Sequence, residues 1–390
     1  MSNKFERERW HYPILKNEIY LDTSTMGLIP KYAADVMTSY LENRVNFSLD
    51  IDDYHMQWED VDEIRKDIAK MIGAECKEEI AFGQNSSTLF NIFTNGLNLK
   101  KGDNVIIYDT AFPAMTYVWL NLQEAIGIEI RVAKSKNGEV LADDLFRLAD
   151  ENTKAVTVCY VDSGTGYRHD LAKIGNWCRE KNISFGVDAT QACGAMKLDV
   201  KKMKIDFLTT SSYKWLQGIQ GIGFAFIDNK FIKKLNQFEM GWANVSDRIN
   251  GEPFNLIISK SACRFENGGL PIIGIYGLHE TVKKYLQLKG EDIENYILDL
   301  TDYLYEKTKE ISEISIAFPH ERKNRSGLIS IYVPEYFQLS EAKMRMAGVR
   351  AKVQGKNRIR IGIHYYNNKQ DIDCFLEYLK SLIVVGGNNE

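Results

Sequence analysis

Phe185-Gly186-Val187-Asp188-Ala189-Thr190-Gln191 and Thr209-Thr210-Ser211-Ser212-Tyr213-Lys214-Trp215-Leu216 are the two stretches on which the fold turns. Each is a short apolar or β-branched run that breaks off in polar side chains, as a buried strand does where it reaches a sheet edge. A carboxylate directly after such a run needs a partner. Lys214 stands between Tyr213 and Trp215-Leu216, ahead of the Gly218/Gly221/Gly223 turn, and reads as buried instead of solvated. Two parallel strands of one α/β sheet bring Asp188 and Lys214 to the same carboxyl edge, where ligands bind in such sheets.

Outward from this pair the same pattern repeats. Ile80-Ala81-Phe82, Asn104 to Tyr108, Ile128 to Val132, Ala155 to Val158, Ile183 to Val187, Phe207 to Thr210 and Gly223 to Ile227 read as strands. Amphipathic stretches such as Leu171 to Lys181 lie between most of them. Strand–helix alternation predicts an α/β fold: a large domain with a mostly parallel seven-stranded sheet between helices. After about residue 255 the pattern changes to two long helices, Gly274 to Leu288 and Glu291 to Ile311. Strands Leu328 to Val333 and Ile359 to Ile363 and a closing helix, Lys369 to Ile383, follow. The expected organisation is an N-terminal segment packing near the small domain (1–20), a large domain (21–255) and a smaller α+β C-terminal domain (256–390), with a frayed tail from Gly386 to Glu390.

Bulk composition agrees with a folded enzyme-sized chain: 390 residues, 44% hydrophobic and 11% aromatic. A formal charge of −4 offers no general attraction for nucleic acid or an acidic membrane. The charged start, Met1 to Arg9, has no apolar h-region, and no apolar run approaches bilayer length, so the expected location is cytoplasmic. Six scattered cysteines form no Cys-x-x-Cys and read as reduced core thiols, and six histidines lack metal-ligand spacing, so no metal is expected.

A lysine able to form a Schiff base, opposite an acid that keeps a pyridinium nitrogen protonated, is the minimum apparatus for pyridoxal phosphate chemistry. Burial lowers the pKa of such a lysine and makes it a nucleophile and base. Gly83-Gln84-Asn85-Ser86-Ser87-Thr88 follows a strand and opens an apolar helix, so Ser86 and Ser87 suit a phosphate cup at a helix N-terminus. The same residues in isolation are a plain N-cap. Phe112 can lie flat against a pyridine ring, although alone it reads as core. Gln191 can donate to the ring's phenolic oxygen, and Ser211 and Tyr213 can reach a phosphate.

With these residues in place the chain resembles the class V aminotransferase family of fold-type I pyridoxal phosphate enzymes, which includes cysteine desulfurases, kynureninases and isopenicillin N epimerase-like proteins. Ile19-Tyr20-Leu21-Asp22-Thr23-Ser24 resembles the family's Tyr-Leu-Asp-Asn-Ala-Ala opening. Val187 to Gln191 is similar to its Val-Asp-Gly-Ala-Gln, and Ser211 to Lys214 to its Ser-Gly-His/Tyr-Lys. The resemblance implies pyridoxal phosphate bound at Lys214, a small-molecule amino-acid substrate gripped at its carboxylate by Arg360, and a homodimer with shared sites. Arg264-Phe265-Glu266-Asn267-Gly268-Gly269 resembles Arg-Phe-Glu-x-Gly-Thr, a loop reaching the neighbouring subunit's phosphate, which implies a cofactor role for Gly269. Ser163 stands where desulfurases place asparagine beside the phenolic oxygen, and Phe112 where they place a stacking histidine. The segment Gly348 to Asn357 has no cysteine where a desulfurase carries its sulfur-accepting thiol on a mobile loop. The expected reaction is therefore β-elimination with C–S cleavage of a cysteine or S-conjugate substrate. Epimerisation or transamination of the isopenicillin N epimerase-like kind is the alternative, and kynureninase-type cleavage a weaker third. Substrate specificity is expected from the region of His11 and Tyr12, from Trp242 and from the Val349 to Asn357 loop.

Overall fold

The structure is a computed structural model that describes residues 2–248 and 254–386. The expected frayed tail, 387–390, lies outside the described residues, while Gly386 ends the last helix. Seven strands form the large sheet: β1 (Ile80–Gly83), β2 (Asn104–Tyr108), β3 (Glu129–Ala133), β4 (Thr153–Cys159), β5 (Ser184–Asp188), β6 (Phe207–Ser211) and β7 (Gly223–Ile227). Their order is β1-β7-β6-β5-β4-β2-β3, and β7 alone runs against its neighbours. β2, β6 and β7 are buried along their whole length. That is the mark of a sheet covered on both faces, and it is why these strands appear as unbroken apolar runs in place of alternating ones.

Helices α1 (Lys31–Asn46), α2 (Ile51–Ile72), α3 (Ser86–Gly96), α4 (Pro113–Ile126) and α5 (Leu171–Lys181) lie along the chain up to β5. Beyond β7 come α6 (Ile272–Leu288), α7 (Gly290–Thr308) and α8 (Lys369–Gly386). A four-stranded antiparallel sheet, β8 (Ser315–Ile316), β9 (Leu328–Tyr332), β10 (Lys352–Gln354) and β11 (Arg358–Gly362), runs in the order β10-β11-β9-β8.

The apolar cores divide within α7, later than the boundary expected at residue 256. Ile275, Leu278 and Val282 of α6 pack in one cluster with Ile64 and Ile68 of α2 and the large sheet. Leu300 and Leu304 at the far end of α7 join Ile329, Ile361, Phe375 and Leu379 in the second cluster. α6 changes the sequence pattern without changing core, because its apolar stripe is satisfied by helices that precede the sheet. Leu21 packs in the second cluster too, although it sits near the chain's start.

The N-terminal segment is tied down at several points. Phe5 stacks on Tyr296 with centroids 4.3 Å apart, Lys4 pairs with Asp292 at 2.7 Å, and Arg9 pairs with Asp371 at 2.7 Å. Ile19–Tyr20 pairs in parallel with Val349–Arg350. That pairing and β10 hold most of the Val349 to Asn357 segment, expected as a loop, in strand. Among the described residues no helix is long and apolar enough to cross a membrane.

Candidate active site

Sheet register assembles the site. β4 and β5 place Cys159 beside Asp188, and β5 and β6 place Asp188 beside Thr209, so the strand ends line one edge. Lys214 follows β6 in the turn that reverses the chain into β7. Gly27 lets the N-terminal segment approach that turn: its N–H donates to the Tyr213 carbonyl at 2.8 Å, and a Cβ would stand 1.9 Å from the Lys214 carbonyl oxygen. Any side chain at Gly27 would push Lys214 out of place.

A cavity of about 460 Å³ opens at this edge. Its wall includes Ser86, Ser87, Phe112, Ser163, Asp188, Gln191, Ser211, Tyr213 and Lys214, all residues singled out from the sequence. Lys214 is only 8% exposed. Burial, the larger effect, pulls its ammonium below the ordinary value, and the Asp188 carboxylate opposes that. Its Nζ lies 5.5 Å from the centroid of the Phe112 ring, which is 41% exposed and faces the cavity instead of packing in the core. Asp188 Oδ1 accepts from the Thr190 N–H at 2.8 Å, an anchor that fixes its carboxylate plane.

The phosphate cup differs in one respect from the expected cap. Asn85, not a serine, is the N-cap of α3, its side chain accepting from Thr88 N–H at 2.9 Å. Ser86 and Ser87 thus occupy the first helical turn with hydroxyls released from capping. The Ser86 N–H donates to Ser211 Oγ at 2.9 Å, and Ser86 Oγ lies 2.9 Å from Thr209 Oγ1, so the start of α3 is tied to the end of β6. The Ser87 N–H and hydroxyl, with the Ser211 and Tyr213 hydroxyls on the same wall, are a donor set for a phosphate.

Gln191 is doubly engaged: its Nε2 donates to the Ser24 carbonyl at 2.9 Å, and its Oε1 accepts from Trp215 Nε1–H at 2.7 Å. One amide proton remains for a ligand. Arg360 stands on β11, near enough for its charge to act on Lys214. Its Nη1 donates to the Ser163 carbonyl at 3.0 Å and its Nη2 to Thr25 Oγ1 at 2.8 Å, while its buried Nε has no partner among the described residues. Ser163 thus faces the site through its backbone as well as its side chain. Gly269 is apart from this group. It lines a neighbouring cavity of about 730 Å³ that shares Gln84, Ser87 and Thr88 with the first. Cys159, Thr190, Gln84 and Gln220 also line the Lys214 cavity and were not singled out from the sequence. Nothing local marks them, since each is exposed to the cavity only by the strand register or the turn around it.

Two expected specificity residues lie elsewhere. Tyr12 is buried with its hydroxyl on Tyr365 at 2.8 Å, and Trp242 meets Trp58 edge-on at 6.2 Å. Beneath Lys214, His364 is enclosed by Trp215, whose carbonyl lies 2.9 Å from Nε2, and by the Tyr366 ring at 4.9 Å. Burial lowers His364 to about 4 and His169, between Tyr108 and Tyr167, to about 3. Both are depressed bases, so the unfolded chain binds protons that the folded one refuses. Their stability is intact above the unfolded value near 6.5 and is lost as pH falls towards the folded values. Each ring costs roughly 2 kcal/mol between about pH 6.5 and pH 5. Urea midpoints of the purified protein are expected to drop accordingly, with a shallower slope in His364→Gln. A midpoint flat over that range would mean that the rings titrate normally.

The fold and this edge define the class. The class-V aminotransferase family model matches residues 19–375, and the chain belongs to that family, whose cofactor is pyridoxal phosphate. The chain is 28% identical over 397 residues to a probable cysteine desulfurase of Pyrococcus abyssi, covering 97% of each. It is 26% identical to another of Borreliella burgdorferi, covering 96% of this chain and 95% of the relative. Apo cysteine desulfurase of Thermococcus onnurineus superposes with a TM-score of 0.86 at 24% identity over 97% of both chains. The cystine C–S lyase C-DES, in complex with its product cysteine persulfide, superposes with a TM-score of 0.86 at 20% identity, covering 94% of this chain and 98% of that one.

Proposed function

We propose that the chain is a β-eliminating C–S lyase acting on cysteine or an S-conjugated amino acid, with pyridoxal phosphate carried on Lys214. The observation that carries the reading is one cavity wall that holds a buried lysine and a buried carboxylate, with Arg360, its Nε unpartnered, bonded to the wall residue Ser163 and acting on Lys214 through its charge. The cofactor fits the donor set: hydroxyls and N–H groups at the α3 end for phosphate, Asp188 for the ring nitrogen, and Gln191 for the phenolic oxygen.

Bound pyridoxal phosphate supplies an electron sink for charge developing at the substrate Cα. Asp188, held by Thr190, would hold the ring nitrogen and keep it protonated. Arg360 takes the substrate carboxylate along its Nε edge, as a planar fork suits. Lys214, biased by burial towards its neutral form, would take the Cα proton onto Nζ. The C–S bond breaks with both electrons leaving on sulfur. Hydrolysis of the remaining fragment yields pyruvate and ammonia.

A persulfide relay is disfavoured by the chain's own cysteines. No cysteine lies between Gly348 and Asn357. Cys159, on the cavity wall, has its thiol pushed well up by burial and by Asp188, and its Sγ faces Met115 Sδ at 3.3 Å. Only a thiolate with access accepts sulfur efficiently.

Purified holoenzyme incubated with cysteine, cystine and an S-alkylcysteine tests the reading. Pyruvate formed in proportion to the released sulfur product is expected, from a protein that sizes as two copies. Exchange of the Cα hydrogen for deuterium without side-chain loss would make it an epimerase. Amino transfer dependent on a keto acid would make it an aminotransferase.

A further inference from the structure

Thr25 stands on the turn that follows Ile19–Tyr20, far from Arg360 in sequence and in contact with its head in space. Thr25 Oγ1 accepts from Arg360 Nη2 at 2.8 Å. Asp22, three residues earlier, is close enough for its charge to act on Arg360. Burial pushes the Asp22 carboxyl up, while the Thr25 side chain and Arg360 pull it back down. Asp22 Oδ1 is buried with no partner among the described residues, so the carboxylate depends on these neighbours.

The turn is built rigidly. Thr25 and Met26 N–H groups both donate to the Asp22 carbonyl at 3.0 Å, and Gly362 N–H, two residues beyond Arg360, donates to the Leu21 carbonyl at 2.7 Å. The same turn touches the cofactor side: Ser24 accepts from Gln191 at 2.9 Å, and Gly27 donates to Tyr213 at 2.8 Å. One short segment therefore registers the arginine, the glutamine and the backbone beside Lys214 against one another.

We infer that Thr25, with the charge of Asp22 nearby, is a positioning residue: a hydroxyl relay that holds Arg360 with its Nε edge turned to the substrate carboxylate. The inference rests on Arg360 as the carboxylate-binding group proposed above. Thr25 takes one Nη2 proton and the Ser163 carbonyl one Nη1 proton, which fixes the plane of the fork and leaves Nε–H and the second proton of each Nη. A guanidinium left to swing would lose the alignment that bidentate binding requires. The partner the relay serves is an α-carboxylate, not a side chain, so it adjusts affinity for amino acids as a class.

The test is a visible-spectrum titration of holoenzyme with glycine and with glycine methyl ester, which lacks the carboxylate charge. Thr25→Val is expected to weaken glycine about tenfold and leave the ester unchanged. Thr25→Ser restores glycine binding, and Asp22→Asn shifts it in the same direction as Thr25→Val. In steady state with a cysteine substrate, KM carries the change and kcat stays within about twofold. Melting curves show whether each variant is folded, and the serine and asparagine variants keep the test open if valine fails. Thr25→Val that binds glycine like the parent, or weakens glycine and ester alike, overturns the relay. Arg360→Lys that fails to separate glycine from its ester overturns the role of Arg360 itself, a result distinct from an inert Thr25 beside a discriminating Arg360.

Discussion

Lys214→Ala is expected to abolish turnover, by about 10⁴-fold or more, while the protein still folds. On the proposed function two roles leave with the amine: the covalent anchor for the cofactor and the base that moves the Cα proton. The side chain lines a cavity, so truncation enlarges space already present. It also removes an amine whose charged form burial disfavours. Stability is therefore expected to change by less than activity by a wide margin. Two measurements check this: turnover of a cysteine substrate, and the visible absorption band of the lysine-bound cofactor, which the variant loses. Small exogenous amines added to the variant are expected to restore part of the proton transfer and hence part of the rate. A variant retaining a tenth of the parental rate would remove Lys214 from the chemistry altogether.

Asp188→Asn is the second large effect. An amide is nearly the same shape as the carboxylate, and its oxygen can still accept from the Thr190 N–H at the present 2.8 Å position. The fold should therefore change by about 1 kcal/mol or less. What disappears is the negative charge that keeps a pyridine nitrogen protonated, and with it much of the stabilisation of charge arriving from Cα. One preorganised electrostatic partner of this kind is worth roughly 10²–10³ in kcat. The expected outcome is a loss of that order in kcat, an unchanged urea midpoint and weakened retention of pyridoxal phosphate on dialysis. An Asp188→Asn enzyme with parental kcat would place the ring nitrogen somewhere other than against this carboxylate.

The two variants separate roles that the sequence presents together. Asp188 and Lys214 both belong to short segments with strong local signals, and their placement at one edge followed from parallel strands alone. Ser86, Ser211 and Tyr213 were legible for the same reason, since each sits at a strand end or at the helix start next to one. The capping residue was not: Asn85 and Ser86 are both good caps, and only the geometry of the α3 start assigns the cap to Asn85. The small domain was legible as helices and strands but not as a packing unit. The apolar stripe of α6 carries no label saying which core it joins, and it joins the one built by α2.

By itself the sequence determined the strand–helix order, the mostly parallel sheet, and the meeting of a carboxylate and an amine at its carboxyl edge. These follow from periodicities of a few residues, and periodicity is local. The tertiary structure alone decided that Thr25 holds Arg360 across 335 residues, that Tyr12 is buried instead of facing substrate, and that Gly269 lines a separate cavity from Lys214 within one subunit. Contacts between distant positions leave no spacing to read. They arise when the second core closes on the first and carries Leu21, Asp22 and Thr25 to the end of β11, where packing and hydrogen-bond satisfaction choose the partner.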